Sequence, residues 1–409
     1  MYDVAGGIMV EFASASSEAA LGVDAAREAA SKAREALHGT PAALAIVSVS
    51  SGYEDLDAIP DALARELGGV PIVGGTAAGA VIGSGTVLTR GLNVVLIGGD
   101  DLAVATGSAR IESRELVELM PVAKKIGLAA DEAARVGFGE FACLVFAPGL
   151  FVDGEALVAV LRKGAGVRAA LAGGIIGDAL AVDRARAFAD GELHSDRIVL
   201  AGLFTKRRIG VAARHGWRTA GPAHVVTRSE GTLLRALDGR PALDVWLEDV
   251  RAAGGTPPEG DAQLVYLVNN YVLGITVPGV PSRGDAPEFI IRAPFQLKSN
   301  GVVRMSASMA EGETVRLMNA SPQELLDASK VATSHAMATA GGNVTGGLVL
   351  ACASRIAALG GRFPSEVESI QAGLGAPIGG LCVYGEIART RSDADAFFNT
   401  TTVVVAFPA

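Results

Sequence analysis

Two charged residues interrupt small or apolar segments in the last quarter of the chain: Arg355 in Ala351-Cys352-Ala353-Ser354-Arg355, and Glu386 in Val383-Tyr384-Gly385-Glu386. An arginine grips a carboxylate through two parallel hydrogen bonds and a glutamate takes an ammonium, so together they suit a zwitterionic ligand. The competing expectation is that they bridge to each other or to neighbours. Tyr384, Asn399 and Ser354 add the neutral polar groups that a small-molecule pocket sets on an apolar wall. Cys352 is the one cysteine followed closely by polar and basic side chains. With Ser51 it is a candidate nucleophile for acyl or amide transfer, although no histidine stands near it as a base. Cys143 and Cys382 lie in apolar runs, without a C-x-x-C pair or a histidine at metal-ligand spacing, so buried free thiols are expected. The five histidines are scattered. One of them as a haem ligand is the gas-sensor alternative, whereas His335, on the helical face of Ala328 and Val331, reads as a core residue. Arg292, after Phe289-Ile290-Ile291, reads as a solvated strand end. No catalytic set, metal or cofactor is expected.

Glycine pairs form the other candidate chemistry: Gly74-Gly75, Gly173-Gly174 and Gly379-Gly380. A glycine at a strand end lets a ligand approach the backbone and exposes amide donors, which makes Gly74, Gly75, Gly379 and Gly380 candidate ligand contacts; close packing is the plainer reading. No glycine-rich turn has the helix and distal acid of a dinucleotide site, and no G-x-x-x-x-G-K-[ST] occurs.

The elements that would position these residues repeat. Ala42–Val49 reads as a strand, followed by a helix near 58–67, the glycine-pair strand at 70–79 and a last strand at 92–97. The order recurs as Cys143–Gly149, a helix near 155–162, the segment 172–178 and a strand at 197–204, and again as Leu348–Ala353, a helix at 365–372, the segment 378–385 and a strand at 402–407. Gly74, Gly173 and Gly379 are expected at equivalent strand ends. The fold class is therefore α/β, with mixed sheets built from repeated strand-helix-strand-strand units in two domains, 1–222 and 223–409. Longer helices are predicted over 17–37, over 114–136 with an interruption at Pro121, and from Pro322, where Ser321 and Glu324 compose a capping box. Segments 252–261 and 278–287 read as loops.

Composition limits the partners. Against 44 acidic residues stand 35 basic ones, a net charge of −9, so neither nucleic acid nor an anionic membrane surface is an expected partner. Mean hydropathy is high at +0.37, but the apolar runs fall short of the roughly 20 residues a spanning helix needs. The N-terminus lacks the pattern of a secretory signal, and a cytoplasmic location is expected.

The segments Pro377–Ile387 and Phe398–Val403 resemble the C-terminal half of the FIST (F-box and intracellular signal transduction) family. Leu350–Arg355 is similar to that family's cysteine and arginine segment, and Leu234–Val245, with Asp238-Gly239-Arg240-Pro241-Ala242, to its entry strand and helix. In the N-terminal half, Val73–Gly79 and Phe188–Glu192 resemble the corresponding family segments. This chain departs from the pattern at Gly75, where the family has a cysteine, and at Phe397 or Phe398, where a histidine is frequent. The resemblance spans about residues 42–407 and implies a bacterial-type, two-part sensory unit for signal transduction. Such units are found alone or joined to signalling domains and bind a small molecule, such as an amino acid or similar polar metabolite. With no kinase, cyclase or DNA-binding segment in the sequence, output is expected through a separate partner protein, without turnover, and homo-oligomerisation is left open.

Overall fold

The computed structural model describes residues 10–149, 152–178, 184–277, 289–390 and 394–409. The three sequence units are present. The first comprises the strand Ala42–Ser50, the helix Ile59–Leu67 and the strands Ile72–Ala77 and Leu92–Gly98; the second, Glu140–Pro148, the helix Gly154–Ala165, Ala170–Ile176 and Arg197–Thr205. The third has Val344–Cys352, the helices Ala353–Leu359 and Phe363–Leu374, Ile378–Arg389 and Thr402–Pro408. In each, the leading strand runs parallel to the glycine-bearing strand and antiparallel to the last one.

These strands are apolar on both faces, and the layering shows why. In Glu140–Pro148, Ala142, Leu144 and Phe146 point to one core while Cys143, Val145 and Ala147 point to another. The same alternation holds in Ala42–Ser50 and Val344–Cys352. The shared core lies between two sheets, one carrying the first unit and the other the second and third, and helices cover both outer faces. A strand sandwiched this way has no polar side to present, so it reads as a continuous hydrophobic run.

Within the larger sheet, Ala170–Ile176 of the second unit pairs antiparallel with Ile378–Arg389 of the third. Two units thus meet back to back across a pseudo-twofold. Between them the chain builds a third, antiparallel sheet from Arg218–Glu230 to Thr314–Asn319, packed on the helices Ala242–Ala252 and Ala262–Asn270. The division placed at 222/223 falls inside the strand Arg218–Glu230.

The glycine motif needs one correction. Gly74 lies opposite Val47, Gly173 opposite Val145, and Gly380, not Gly379, opposite Val349. A Cβ at these glycines would stand 2.2, 2.0 and 1.9 Å from the opposing valine carbonyl oxygen. All three lie within strands rather than at their ends, and the requirement is for strand-to-strand approach.

Other expectations also move. The helix predicted over 17–37 begins at Gly22, because Glu11–Ser17 forms a strand and the Asp55 carboxylate, from a distant turn, accepts the amides of Gly22 (2.8 Å) and Val23 (2.9 Å). The helix predicted from 114 begins at Leu119, so Pro121 falls in its first turn, where no intrahelical bond is lost and no interruption results. The capping box at Ser321 and Glu324 forms as predicted. That helix buries Leu325, Ser329, Ala332 and Ala336, which leaves His335 and Val331 on the exposed side, so His335 is not a core residue. Segment 278–287, expected as a loop, lies outside the described residues. Among the described residues, no helix is long and apolar enough to cross a membrane.

Candidate functional site

The antiparallel pairing that joins the second and third units slips once. Val383 faces Ile176 and Gly385 faces Ile175, so Tyr384 is the extra residue of a bulge. A bulge re-aims its side chain out of the normal alternation. The Tyr384 ring lies over Gly177, where a Cβ would come within 2.5 Å of it, and its hydroxyl donates to Asp178 Oδ1 at 2.8 Å.

That ring forms part of the wall of a cavity of about 450 Å³, bounded by the central sheet on one side and the third sheet on the other. Its polar wall comes from Arg114, Asp153, Glu230, Arg304, Ser306 and Tyr384; Val152, Ile175, Phe295 and Phe397 give it apolar surface. Asp153 is there because it caps the second unit's helix, accepting the amides of Glu155 (2.9 Å) and Ala156 (3.2 Å) at the carboxyl end of a parallel strand pair. Such strand ends are where open α/β sheets place ligands. The third sheet is tied on at the cavity's edge. Ser306 Oγ donates to Asn399 Oδ1 at 2.8 Å, and Arg292 pairs with Glu155 and donates to the Phe397 carbonyl at 3.0 Å. Arg292, expected at a solvated strand end, is only 3% exposed, because it ends the third sheet's edge strand Phe289–Arg292 where that sheet packs on Glu155 and Phe397. Burial pushes the Glu155 carboxyl above its usual range and the Arg292 guanidinium below its own, each partly offset by the other's charge.

Of the residues expected to line a site, Tyr384 does so. Arg355 is 1% exposed and fully engaged: Nε donates to Glu366 Oε1 (2.9 Å) and Oε2 (3.2 Å), Nη2 to Glu366 and the Leu325 carbonyl, and Nη1 to the carbonyls of His215 and Thr400. The expected ligand clamp is thus an internal bridge, and its partner is Glu366 rather than Glu386. Glu366 also accepts from Thr402 Oγ1 at 2.7 Å.

Glu386 is buried as well. Its Oε2 accepts the Thr401 amide at 3.1 Å, and its Oε1 has no partner. Burial raises its carboxyl far above the usual range, which opposes a charged role towards an ammonium. Cys352 ends the third unit's leading strand, 4% exposed, its thiol pushed up to about 12 by burial and then by the nearby Glu386. Asn399-Thr400-Thr401-Thr402 threads between the two buried acids, so this family-like segment acts as a clasp. Asn399 reaches the cavity wall by accepting from Ser306, and Ser354 Oγ is buried without a partner among the described residues. Gly74 and Gly380 press on neighbouring valine backbones; Gly75 sits beneath the Arg186 carbonyl, and Gly379 against Val95 and Asn93 of the opposite sheet.

Sequence reading missed Arg114, Asp153, Arg304 and Ser306. Asp153-Gly154-Glu155 carries a helix-start signal that could have located one of them. The others come together only through the third sheet. Among the described residues, no three His, Cys, Asp or Glu side chains gather closely enough to hold a metal ion.

Comparison with known proteins bears on the fold and the family. A solved chorismatase structure is similar at 10% identity with a TM-score of 0.32, covering 91% of this chain and 94% of that one. T. maritima PurL complexed with ADP is similar at 10% identity and a TM-score of 0.23, covering 99% and 74%. Among curated proteins none matches. The FIST N domain matches residues 43–240 and the FIST C domain residues 242–389, so the first two units, the third sheet and the third unit as far as Arg389 fall within one recognised pair of domains, while the clasp and the strand Thr402–Pro408 follow the matched residues. The chain belongs to the FIST family, whose domains mark a sensory, small-molecule-binding role in signal transduction.

Proposed function

We propose that this protein binds its ligand in the cavity between the central sheet and the third sheet, and binds it without turnover. The observation that carries this reading is the Tyr384 bulge, which turns one polar ring from the junction of two units into a space walled by a separate sheet. The volume suits a small metabolite of amino-acid size or somewhat larger, with polar groups at a few points of an apolar wall. The Cys352 thiol, held protonated by its surroundings, supports binding over nucleophilic chemistry. Ligand contacts to both walls would favour one placement of the third sheet on the core, and a separate cytoplasmic partner would read that placement.

Hydrogen exchange with a ligand found by thermal-shift screening tests the proposal. Protection is expected together at 230–233, 303–307 and around Tyr384. At about 100-fold its Kd the ligand should add about 2.7 kcal/mol of stability. Ala307, 1% exposed on the cavity wall, offers the blocking variant: Ala307→Trp should abolish the shift. Protection confined to other segments, or binding undiminished in the folded tryptophan variant, would refute the cavity as the site.

A further inference from the structure

We infer that the ligand is an organic anion, its carboxylate held by Arg304 and Arg114 and its apolar body laid against Phe295, Phe397 and Ile175; this rests on the cavity being the binding site. The charges on the wall are not balanced in what they offer. Glu230 already accepts from Arg235 Nη2 at 2.7 Å, and Asp153 Oδ1 caps a helix. Neither arginine has such a partner: among the described residues, Arg114 and Arg304 make no side-chain hydrogen bond or ion pair, and Arg304 Nε is buried with no acceptor. The charge of each acid is met by a partner, Arg235 or a helix N-terminus, whereas neither arginine's charge is met, so the cavity favours negative charge over an ammonium.

The placement of Arg304 follows from strand alternation. Val303 and Met305, 0% and 1% exposed, point into the core of the third sheet, so the residue between them points the other way, towards the cavity. A buried guanidinium N–H without an acceptor carries a desolvation cost that a bound carboxylate relieves with two parallel hydrogen bonds. Arg114 approaches from a different element, the turn before the helix Leu119–Arg135, so a carboxylate there would bridge core and third sheet. The zwitterion expected from Arg355 and Glu386 is thereby replaced by a ligand whose carboxylate is read and whose ammonium, if it has one, is not.

Three probes with one skeleton separate the possibilities: 3-phenylpropanoate, 3-phenylpropanamide and 3-phenylpropylamine, titrated calorimetrically into the full chain. The acid should bind about tenfold or more tighter than the amide, and the amine more weakly still. Arg304→Gln should erase the preference for the acid, Arg304→Lys should retain part of it, and Arg114→Gln should reduce it, with circular dichroism confirming each fold. If acid and amide bind alike but Ala307→Trp blocks both, the cavity stands as the site and the anion inference falls. An acid preference unchanged in folded Arg304→Gln overturns Arg304 as the anchor. Acid binding that survives Ala307→Trp refutes the cavity itself, and no binding by any of the three overturns the inference for aryl carboxylates.

Discussion

Glu386 and Arg355 look alike in sequence, each a lone charge in an apolar run, yet burial treats them oppositely. Arg355 has a salt-bridge partner in Glu366 and an acceptor for every donor group, whereas Glu386 has one amide and an unmatched oxygen. Breaking a buried pair leaves an uncompensated charge, so Arg355→Met should cost about 3–5 kcal/mol in chemical denaturation. Where Arg355→Lys still folds, ligand affinity should equal the parent's, since the residue holds the clasp rather than the ligand. Glu386 calls for a different experiment. Its folded-state pKa is raised, so its contribution to stability is complete below the unfolded carboxyl value, near 4.3, and declines as pH rises from there towards the folded value. Glu386→Gln should flatten that part of the stability–pH curve and change stability by no more than about 1 kcal/mol at acidic pH. A parent curve that rises with pH in a way the glutamine variant abolishes would show Glu386 to be ionised.

At the scale of elements, the repeated strand pair depends on a glycine beneath each valine carbonyl. Gly380→Ala would force a Cβ to within 1.9 Å of Val349 O at a φ of +153°, so it should destabilise by about 2–4 kcal/mol. Gly39→Ala, also at positive φ but with open space around it, should cost about 1 kcal/mol. Equal losses in thermal melts would remove close approach as the cause.

The third sheet has an electrostatic tie of its own. His224 Nδ1 lies 2.7 Å from Asp238 Oδ2 and its Nε2 2.8 Å from Asp249 Oδ2, joining a strand, a turn and a helix. Burial opposes charging the ring, but the two carboxylates outweigh it and the pKa is raised. The stabilisation is therefore complete below about pH 6.5, the usual histidine value, and is lost as pH rises through the folded value. Hydrogen exchange at 218–252 should accelerate over that rise beyond the intrinsic pH effect in the parent and not in His224→Asn. Identical profiles would exclude the histidine.

For the whole molecule, the decisive fact is that the two family domains share one sheet. Ala170–Ile176 pairs with Ile378–Arg389, and the core between the sheets draws on all three units. A fragment of residues 1–222 would carry an unpaired apolar strand edge, a known route to aggregation. It should be insoluble alone and recovered by co-expression with 223–409. A monomeric, cooperatively melting 1–222 would show that the shared sheet is not needed for folding.

The strand-helix-strand-strand repeat was legible because a strand buried on both faces must be apolar throughout, and the capping box because its partners are three residues apart. Periodicity and short-range spacing carry such information directly. The one-residue offset of the third glycine pair was not legible, since either glycine satisfies the pattern and only the register against Val349 distinguishes them. Nor could the chain order tell an arginine with an internal partner from one facing a cavity. Arg355 meets Glu366 eleven residues away after a change of direction, and Arg304, on the third sheet, shares a cavity wall with Arg114, from the turn before the helix Leu119–Arg135. Residue types determined which side chains had chemistry to offer; whether that chemistry was already satisfied depended on partners that only the packed sheets bring together.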